Sequence, residues 1–328
     1  MDTTGNIYVT NGFGGSNGLG SVAVFPAGSY GTGSPSATIA GDNTGLDYPF
    51  GVGVDSNGDV SVLNADSTIT VYPAGSTGNV PPRATINIDG EGEIYPSGLA
   101  VDHTGKIYVA NRGTEDCNEK GNCIETNQGS VAVYPAESDG IAKASAVIAG
   151  PLTKLGSPSA IAVDHSGDIY VANQGHTTCT RYCGCFSSGF GSVTEYEAGS
   201  NGDAKPIARI VGTHTGIGSP YGIALDSSEN IYVLNFGNFN VGFILGSTRR
   251  FGACLSQNYS SSTATSAPAT SRVATSSVAT LDGVGFFYPI LIFAAGSNGD
   301  AAPIAGIGGP FIGFYGPEGI AIGPTGSP

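Results

Sequence analysis

The sequence predicts an all-β protein: a single five-bladed β-propeller built from four-stranded antiparallel blades. Three observations predict this fold. Four short strand-like phrases each recur five times, glycine (53 of 328 residues) and proline (19) are abundant, and the first and last phrases are complementary parts of one unit. High glycine content without a collagen period is typical of many short strands joined by tight turns.

Two phrases define the inner strands of each unit, which we call strands a and b. Strand a resembles Pro-x-Gly-Ile-Ala-Val-Asp and occurs at 49–55, 96–102, 158–164, 220–226 and 317–323, where Gly323 replaces the Asp. Strand b resembles Gly-x-Ile-Tyr-Val-x-Asn at 5–11, 105–111 and 167–173, with looser copies ending in Asn64 and Asn235. Runs rich in Val, Ile and Tyr between turn residues predict short strands.

Two further phrases complete the unit as strands c and d. Strand c resembles Ser-Val-x-Val-Tyr-Pro-Ala-Gly-Ser near 21–29, 69–76, 130–138, 192–200 and 290–297. Strand d ends near Gly41, Gly90, Gly150, Gly212 and Gly306. A four-stranded unit that is apolar on both faces must stack against copies of itself, and radial stacking leaves only short, protected edges.

The ends of the chain predict how the ring closes. The chain begins at a strand b (5–11) and finishes with a strand a (317–323), so the two termini are expected to share one blade. We therefore predict one domain, 1–328, with blades of about 317–323 plus 5–41, 49–90, 96–150, 158–212 and 220–308. A Ser/Thr-rich insertion of about 236–287 interrupts the last blade.

Two segments carry a family resemblance. Pro-Ser-Gly-Leu-Ala-Val-Asp-His-Thr-Gly-Lys-Ile-Tyr-Val-Ala-Asn (96–111) and Pro-Ser-Ala-Ile-Ala-Val-Asp-His-Ser-Gly-Asp-Ile-Tyr-Val-Ala-Asn (158–173) resemble NHL repeats. The resemblance covers nearly the whole chain outside the connections, although propellers of this family more often have six blades. Enzymes of this type, such as streptogramin lyases, lactonases and the amidating lyase, place metal ligands or His and Arg groups at the channel mouth, whereas the small apolar strand a residues here offer none.

The connections differ between the two faces of the predicted propeller. The a–b and c–d turns hardly vary, but the b–c connections grow from almost nothing at 65–67 to about fifty residues at 236–287. Variation of this kind on a constant scaffold indicates a binding surface. The candidate residues on this loop face are Asn111, Arg112, Asn173, His176, Arg181, His214 and Asn235.

Recurring polar residues have both a functional and a structural interpretation. Asp55, Asp102, Asp164 and Asp226 end strand a and could surround a cation, but the Asp-x-x-Gly context of the first three favours Asx-turns. An Asn ends every strand b and could form a ring at the loop face. An amide that holds its own connection in place is the favoured interpretation.

All six cysteines lie outside the strand phrases, in b–c connections: Cys117, Cys123, Cys179, Cys183, Cys185 and Cys254. This placement indicates an oxidising compartment and disulfide-pinned loops. Among fifteen possible pairings we predict Cys117 with Cys123, Cys179 with Cys183, and Cys185 with Cys254. Zinc held by His176 and its neighbouring cysteines is the alternative, disfavoured because no Cys-x-x-Cys pair is present.

The longest connection also has glycosylation features. Asn258 begins an Asn-x-Ser sequon, and the Ser/Thr-rich tract from Ser260 to Ser277 is too small and polar to pack. We expect a glycan-bearing or disordered loop.

Charge and motifs narrow the function. A net charge of −14 argues against nucleic acid, no apolar run is long enough to span a membrane, and Met1 is followed by no signal segment, as expected of a mature or trimmed form. No catalytic, cofactor or metal motif is recognisable, so an enzyme is the less favoured interpretation. We predict a secreted or cell-surface, non-catalytic propeller that binds a protein, a glycan or copies of itself through the loops of its third to fifth blades. The alternative is a small-molecule lyase or lactonase using His176, Arg181 and His214.

Overall fold

A computed structural model describes residues 2, 4–15, 18–29, 33–88, 95–113, 115–117, 123–125, 129–175, 177–180, 184–187, 191–236 and 290–307. Throughout these residues the regular elements are strands, and five blade sheets form a five-bladed β-propeller, which confirms the predicted fold class. None of the described residues belongs to a helix long and apolar enough to cross a membrane.

The strands are numbered along the chain. The first blade contains β1 (Ile7–Asn11), β2 (Ser21–Phe25) and β3 (Ala37–Ile39), and the second contains β4 (Gly51–Val54), β5 (Val60–Leu63), β6 (Thr68–Tyr72) and β7 (Ala84–Asn87). The third contains β8 (Tyr95–Val101), β9 (Ile107–Arg112), β12 (Ser130–Tyr134) and β14 (Ala146–Ile148). The fourth contains β15 (Pro158–Val163), β16 (Ile169–Asn173), β19 (Ser192–Tyr196) and β20 (Ala208–Ile210), and the fifth contains β21 (Ser219–Leu225), β22 (Ile231–Phe236), β23 (Ile290–Phe293) and β24 (Ala305–Ile307).

Neighbouring strands within a blade are antiparallel and follow chain order. In the fourth blade, for example, Asn173 of β16 lies opposite Ser192 of β19. The first blade has three described strands. The predicted closing strand, 317–323, lies outside the described residues.

The hydrophobic core lies between the blades. One cluster joins Tyr108 and Val131 of the third blade to Ile169 and Val171 of the fourth. Every residue of β16 is buried, because one side of the strand faces each neighbouring blade. This explains why the strand b phrases are continuously apolar, since a sandwiched strand has no solvent face to alternate with.

The axial strands pack too closely for large side chains. A Cβ added to Gly98 would lie 2.9 Å from the Cα of Ala160 in the next blade. The Ser159 hydroxyl donates a hydrogen bond of 2.6 Å to the carbonyl of Pro220, joining the axial strands of the fourth and fifth blades. The small residues of strand a are therefore required by packing.

The c–d connections of the second to fifth blades latch each of these blades to the preceding one. Gly202, in the c–d connection of the fourth blade, forms a parallel bridge with Ile148 on the outer strand of the third. The next residue, Asp203, accepts the backbone N–H of Leu152 at 2.7 Å. Similar parallel bridges join Ile39 to Gly78 and Ile210 to Gly299, and β13 (Gly140–Ile141) in the third blade pairs in parallel with β7 of the second. The repeated turn phrase thus also covers an otherwise open sheet edge.

Candidate functional site

The b–c connections of the third and fourth blades build a sixth sheet, which we call the crown sheet. It consists of β10 (Glu115–Cys117) and β11 (Cys123–Glu125) from the third blade, and β17 (Thr177–Thr180) and β18 (Gly184–Ser187) from the fourth. Each connection forms a hairpin, and the two hairpins join through antiparallel pairing of β11 with β17. The loop face therefore carries an ordered structure shared by two blades.

Four of the cysteines that the sequence analysis placed in the b–c connections lie in short strands within those connections. Cys117, Cys123, Cys179 and Cys185 each lie in a different strand of the crown sheet. These strands were not foreseen, because each has only three or four residues, too few for a periodic pattern. In addition, β11 of the third blade pairs with β17 of the fourth, so the two halves of the sheet come from segments that are distant in sequence. The remaining predicted positions in these connections, Cys183, Cys254 and Asn258, lie outside the described residues.

The strand b asparagines hold the backbone of the loop face in place. Asn173, which is buried, accepts the N–H of Gly156 at 3.1 Å and donates to the Thr194 hydroxyl at 3.1 Å. Asn235 likewise accepts the N–H of Gly218 at 2.9 Å. In both blades the amide has a structural role, but it connects the end of strand b to the preceding d–a connection and not to its own b–c connection.

Asn111 is also buried, and its side-chain amide donates to the Ser130 hydroxyl at 3.2 Å. The d–a connection that precedes this blade includes residues 89–94, which lie outside the described residues. Asn64, Asn111, Asn173 and Asn235 are all buried, so these four amides are not presented to a ligand, whereas Asn11 of the first blade is exposed.

The candidate charged residues do not converge among the described residues. Arg112 ends β9 and is exposed, opposite Tyr95 of the axial strand. His214 is also exposed, and its Nδ1 lies 2.5 Å from Asp300 Oδ2, while its backbone N–H donates to Asp300 Oδ1 at 2.7 Å. His214 therefore belongs to the latch between the fourth and fifth blades. His176 and Arg181 lie outside the described residues.

The recurring aspartates form Asx-turns, as predicted. Asp102 Oδ1 accepts the N–H groups of Thr104 at 2.8 Å and Lys106 at 3.0 Å, and Oδ2 accepts the Tyr108 hydroxyl at 3.0 Å. Burial alone would raise the pKa of Asp102, but these hydrogen bonds lower it overall. Burial, with the adjacent carboxylate, raises the pKa of Tyr108.

Asp2 is the corresponding residue of the first blade, and the sequence reasoning missed it. It accepts the N–H groups of Thr4 and Asn6, each at 2.9 Å, and the Tyr8 hydroxyl at 3.0 Å. Burial opposes ionisation, but the hydrogen bonds prevail and lower the pKa of Asp2 to about 2. The available signal was Asp2-Thr-Thr-Gly5, which matches Asp-x-x-Gly but is separated in sequence from its own strand a.

A small polar cavity of about 40 Å³ lies between the second and third blades on the turn face. Arg83 bridges it, contacting Asp59 Oδ2 at 3.0 Å and Glu137 Oε2 at 2.5 Å. The hydrogen bond to Glu137, with the surrounding carboxylates, raises the pKa of Arg83 despite partial burial. A cavity of this size holds about three waters. Its polar lining is bridged by the ion pairs of Arg83.

Two imidazoles meet on the same face. The rings of His103 and His165, from the a–b turns of adjacent blades, have centroids 5.0 Å apart. Within the described part of the chain, no three His, Cys, Asp or Glu side chains are grouped to hold a metal ion. The pair therefore contributes a contact between blades.

Comparison with known proteins identifies no family. No protein-family model matches the chain, and no curated protein sequence matches it either. A crystal structure of a protein of unknown function from Bacteroides caccae is similar over 96% of this chain and 97% of that one, with 12% identity and a TM-score of 0.40. The NHL relationship thus stays a prediction from the repeat phrases.

Proposed function

We propose that this chain is a secreted or cell-surface NHL-like propeller that acts as a non-catalytic binding or self-assembly module through the long connections of its third to fifth blades. Its partner is a protein, a glycan or another copy of the chain. The propeller fold is compatible with a binding or structural module, and the crown sheet is the observation that supports this use of the loop face.

The crown sheet is additional to the propeller's own structure. The second blade passes from β5 to β6 through Asn64 to Ser67, a connection closed by a hydrogen bond between Asn64 and Thr68. The third and fourth blades place ordered hairpins at the same point. A blade can therefore be completed without a hairpin, so the crown strands are available for a role beyond folding of the ring.

The remaining described surfaces support the same proposal. The c–d connections are occupied by latches, and the strand b asparagines by backbone ties. The strands at the axis approach within van der Waals contact at Gly98. These contacts leave the loop face of the third to fifth blades as the surface with the greatest freedom to serve a partner.

The test compares native protein with a crown-deleted variant in which 114–128 and 174–190 are each replaced by the short connection of the second blade. Size would be measured by light scattering and shape by negative-stain imaging, both under oxidising conditions. Rings or filaments that disappear in the variant would support self-assembly, and variant-sensitive binding on a glycan array would support glycan recognition.

A matched control tests a different exposed apolar surface. Ile141 lies in the c–d connection of the third blade and is 81% exposed. Ile141→Ser is expected to leave assembly and glycan binding unchanged. Assembly or glycan binding that is sensitive to Ile141→Ser but insensitive to crown deletion would contradict the proposal.

A further inference from the structure

We infer that the crown sheet carries two cross-strand disulfide bonds, Cys117 with Cys123 and Cys179 with Cys185, each closing one hairpin. The second bond differs from the pairing predicted from the sequence, and neither depends on the identity of a partner. The inference follows from the backbone register of the four strands.

The four cysteines occupy one row across the sheet. Cys117 lies opposite Cys123, Cys123 lies opposite Cys179, and Cys179 lies opposite Cys185. Directly opposite residues of antiparallel strands share a face and have Cβ atoms roughly 4.5–5.5 Å apart. All four cysteines therefore belong to one face, and each has a cysteine in the adjacent strand.

Antiparallel geometry determines which neighbours are best placed to bond. A residue directs its N–H and C=O to the same side of its strand, so it forms a hydrogen-bonded pair with one neighbour and a closer, non-hydrogen-bonded pair with the other. The three cysteine pairs must consequently alternate. Both pairs within hairpins are of one type, and the pair between hairpins, Cys123 with Cys179, is of the other.

The hairpin turn of the fourth blade assigns the types. Thr180 and Gly184 form the last pair before a three-residue connection, and such a connection is ordinarily closed by a hydrogen-bonded pair. Cys179 and Cys185, the next pair, are then of the non-hydrogen-bonded type, and alternation assigns Cys117 and Cys123 to the same type. The shorter separation suits the Cβ distance of roughly 3.5–4.5 Å found in disulfides.

Two alternative arrangements, a disulfide between the hairpins and a shared zinc ion, cannot engage all four cysteines. A bond between Cys123 and Cys179 would leave Cys117 and Cys185 three strand spacings apart, about 14 Å, beyond the reach of a disulfide. One tetrahedral zinc ion, with Zn–S bonds of about 2.3 Å, likewise cannot take all four sulfurs from a row of this length. The two bonds within hairpins engage all four cysteines.

Formation of each bond is a balanced thiol–disulfide exchange. One cysteine thiolate attacks oxidised glutathione, forming a mixed disulfide and releasing one glutathione thiolate. The opposite cysteine then attacks the protein sulfur and releases the second. Two protein thiols lose two protons and two electrons, and one oxidised glutathione becomes two reduced molecules.

The experiment is disulfide mapping of the full chain after equilibration with oxidised glutathione, alkylation of free thiols and trypsin digestion without reduction. Cleavage after Lys120 separates Cys117 from Cys123, and cleavage after Arg181 separates Cys179 from Cys185. The expected products are peptide 113–120 linked to 121–143, and 155–181 linked to 182–209, because trypsin does not cleave the bond between Lys205 and Pro206. A link between 121–143 and 155–181 would instead reveal the inter-hairpin bond and overturn the inference.

Two variants show whether Cys183 or Cys185 bonds to Cys179, since both lie in the same tryptic peptide. Cys183→Ser should retain the link between 155–181 and 182–209, whereas Cys185→Ser should lose it or transfer it to Cys183. Loss of that link in Cys183→Ser would restore the sequence-predicted pairing and overturn the second bond. Alkylated Cys117 and Cys123 in the oxidised native protein would overturn the first. One equivalent of zinc protecting the four thiols until a chelator is added would overturn both.

A matched pair tests independence of the two hairpins. Cys123→Ser should free Cys117 for alkylation and leave the link between 155–181 and 182–209 unchanged. Binding to a partner is not measured in any of these experiments, so failure of the proposed function would not affect their outcome.

Discussion

Removing one hydroxyl from the core provides a sharp test of how the d–a connections are held. Tyr196 is fully buried, and its hydroxyl donates at 2.6 Å to the carbonyl of Thr153, which is also fully buried. In Tyr196→Phe this carbonyl loses its donor without a compensating contact with water. Leaving a buried acceptor unpaired costs about 1–3 kcal/mol, and we expect Tyr196→Phe to destabilise the protein by about 1–2 kcal/mol.

The fifth blade shows that the phenyl ring alone fits. Phe293 occupies the corresponding position and is fully buried, so the substitution removes an oxygen without creating a misfit. Equilibrium urea unfolding followed by circular dichroism measures the change, with Tyr95→Phe as the matched control because Tyr95 is 52% exposed. Equal stability of Tyr196→Phe and the control, within roughly 0.3 kcal/mol, would refute the reasoning, because surface substitutions are usually near neutral.

Three further predictions concern the buried tyrosines, the Asp203 latch and the ion pairs of Arg83. Burial raises the pKa values of Tyr72 and Tyr196 to about 12 despite hydrogen bonds that lower them. The pKa of tyrosine in the unfolded chain is about 10, so above pH 10 the unfolded state loses protons that the folded state retains. The free energy of unfolding should therefore be unaffected below pH 10 and fall by about 3 kcal/mol per tyrosine between pH 10 and 12. Measured across this range, it should fall less steeply in the variant that carries both Tyr72→Phe and Tyr196→Phe. Asp203→Ala should lower stability by about 1–2 kcal/mol and speed hydrogen exchange of the Leu152 amide, and an unchanged exchange rate would contradict the latch. Arg83→Met should cost less than about 1 kcal/mol in urea unfolding, with the difference abolished by 1 M salt, because its ion pairs are partly exposed; a salt-independent loss of about 3 kcal/mol would count against this view.

Local residue chemistry explains why much of the fold was predictable. The strand phrases, the Asx-turns of Asp102 and its counterparts, and the asparagine ties depend mainly on residues within a single blade. For example, Asp102 reaches Thr104 and Lys106, two and four residues away. The five blades repeat this local structure, and they must pack against one another because no blade can bury both of its faces alone.

Contacts between blades were not predictable in this way. His214 and Asp300 are 86 residues apart, and each stands in a connection whose phrase satisfies its own turn requirements. Nothing in either phrase specifies which neighbouring segment it meets. The sequence therefore placed His214 among candidate catalytic groups, whereas the structure places it in a latch.

The crown sheet shows the same difference between contacts within one blade and contacts between blades. The sequence by itself determined that the long connections and their cysteines gather on the third to fifth blades, because connection length and residue spacing are one-dimensional properties. Only the tertiary structure decided that Cys123 lies opposite Cys179, since that register depends on the distance and rotation between two packed blades. Strand pairing joins chain segments according to their position in space, and position is set by the propeller beneath them.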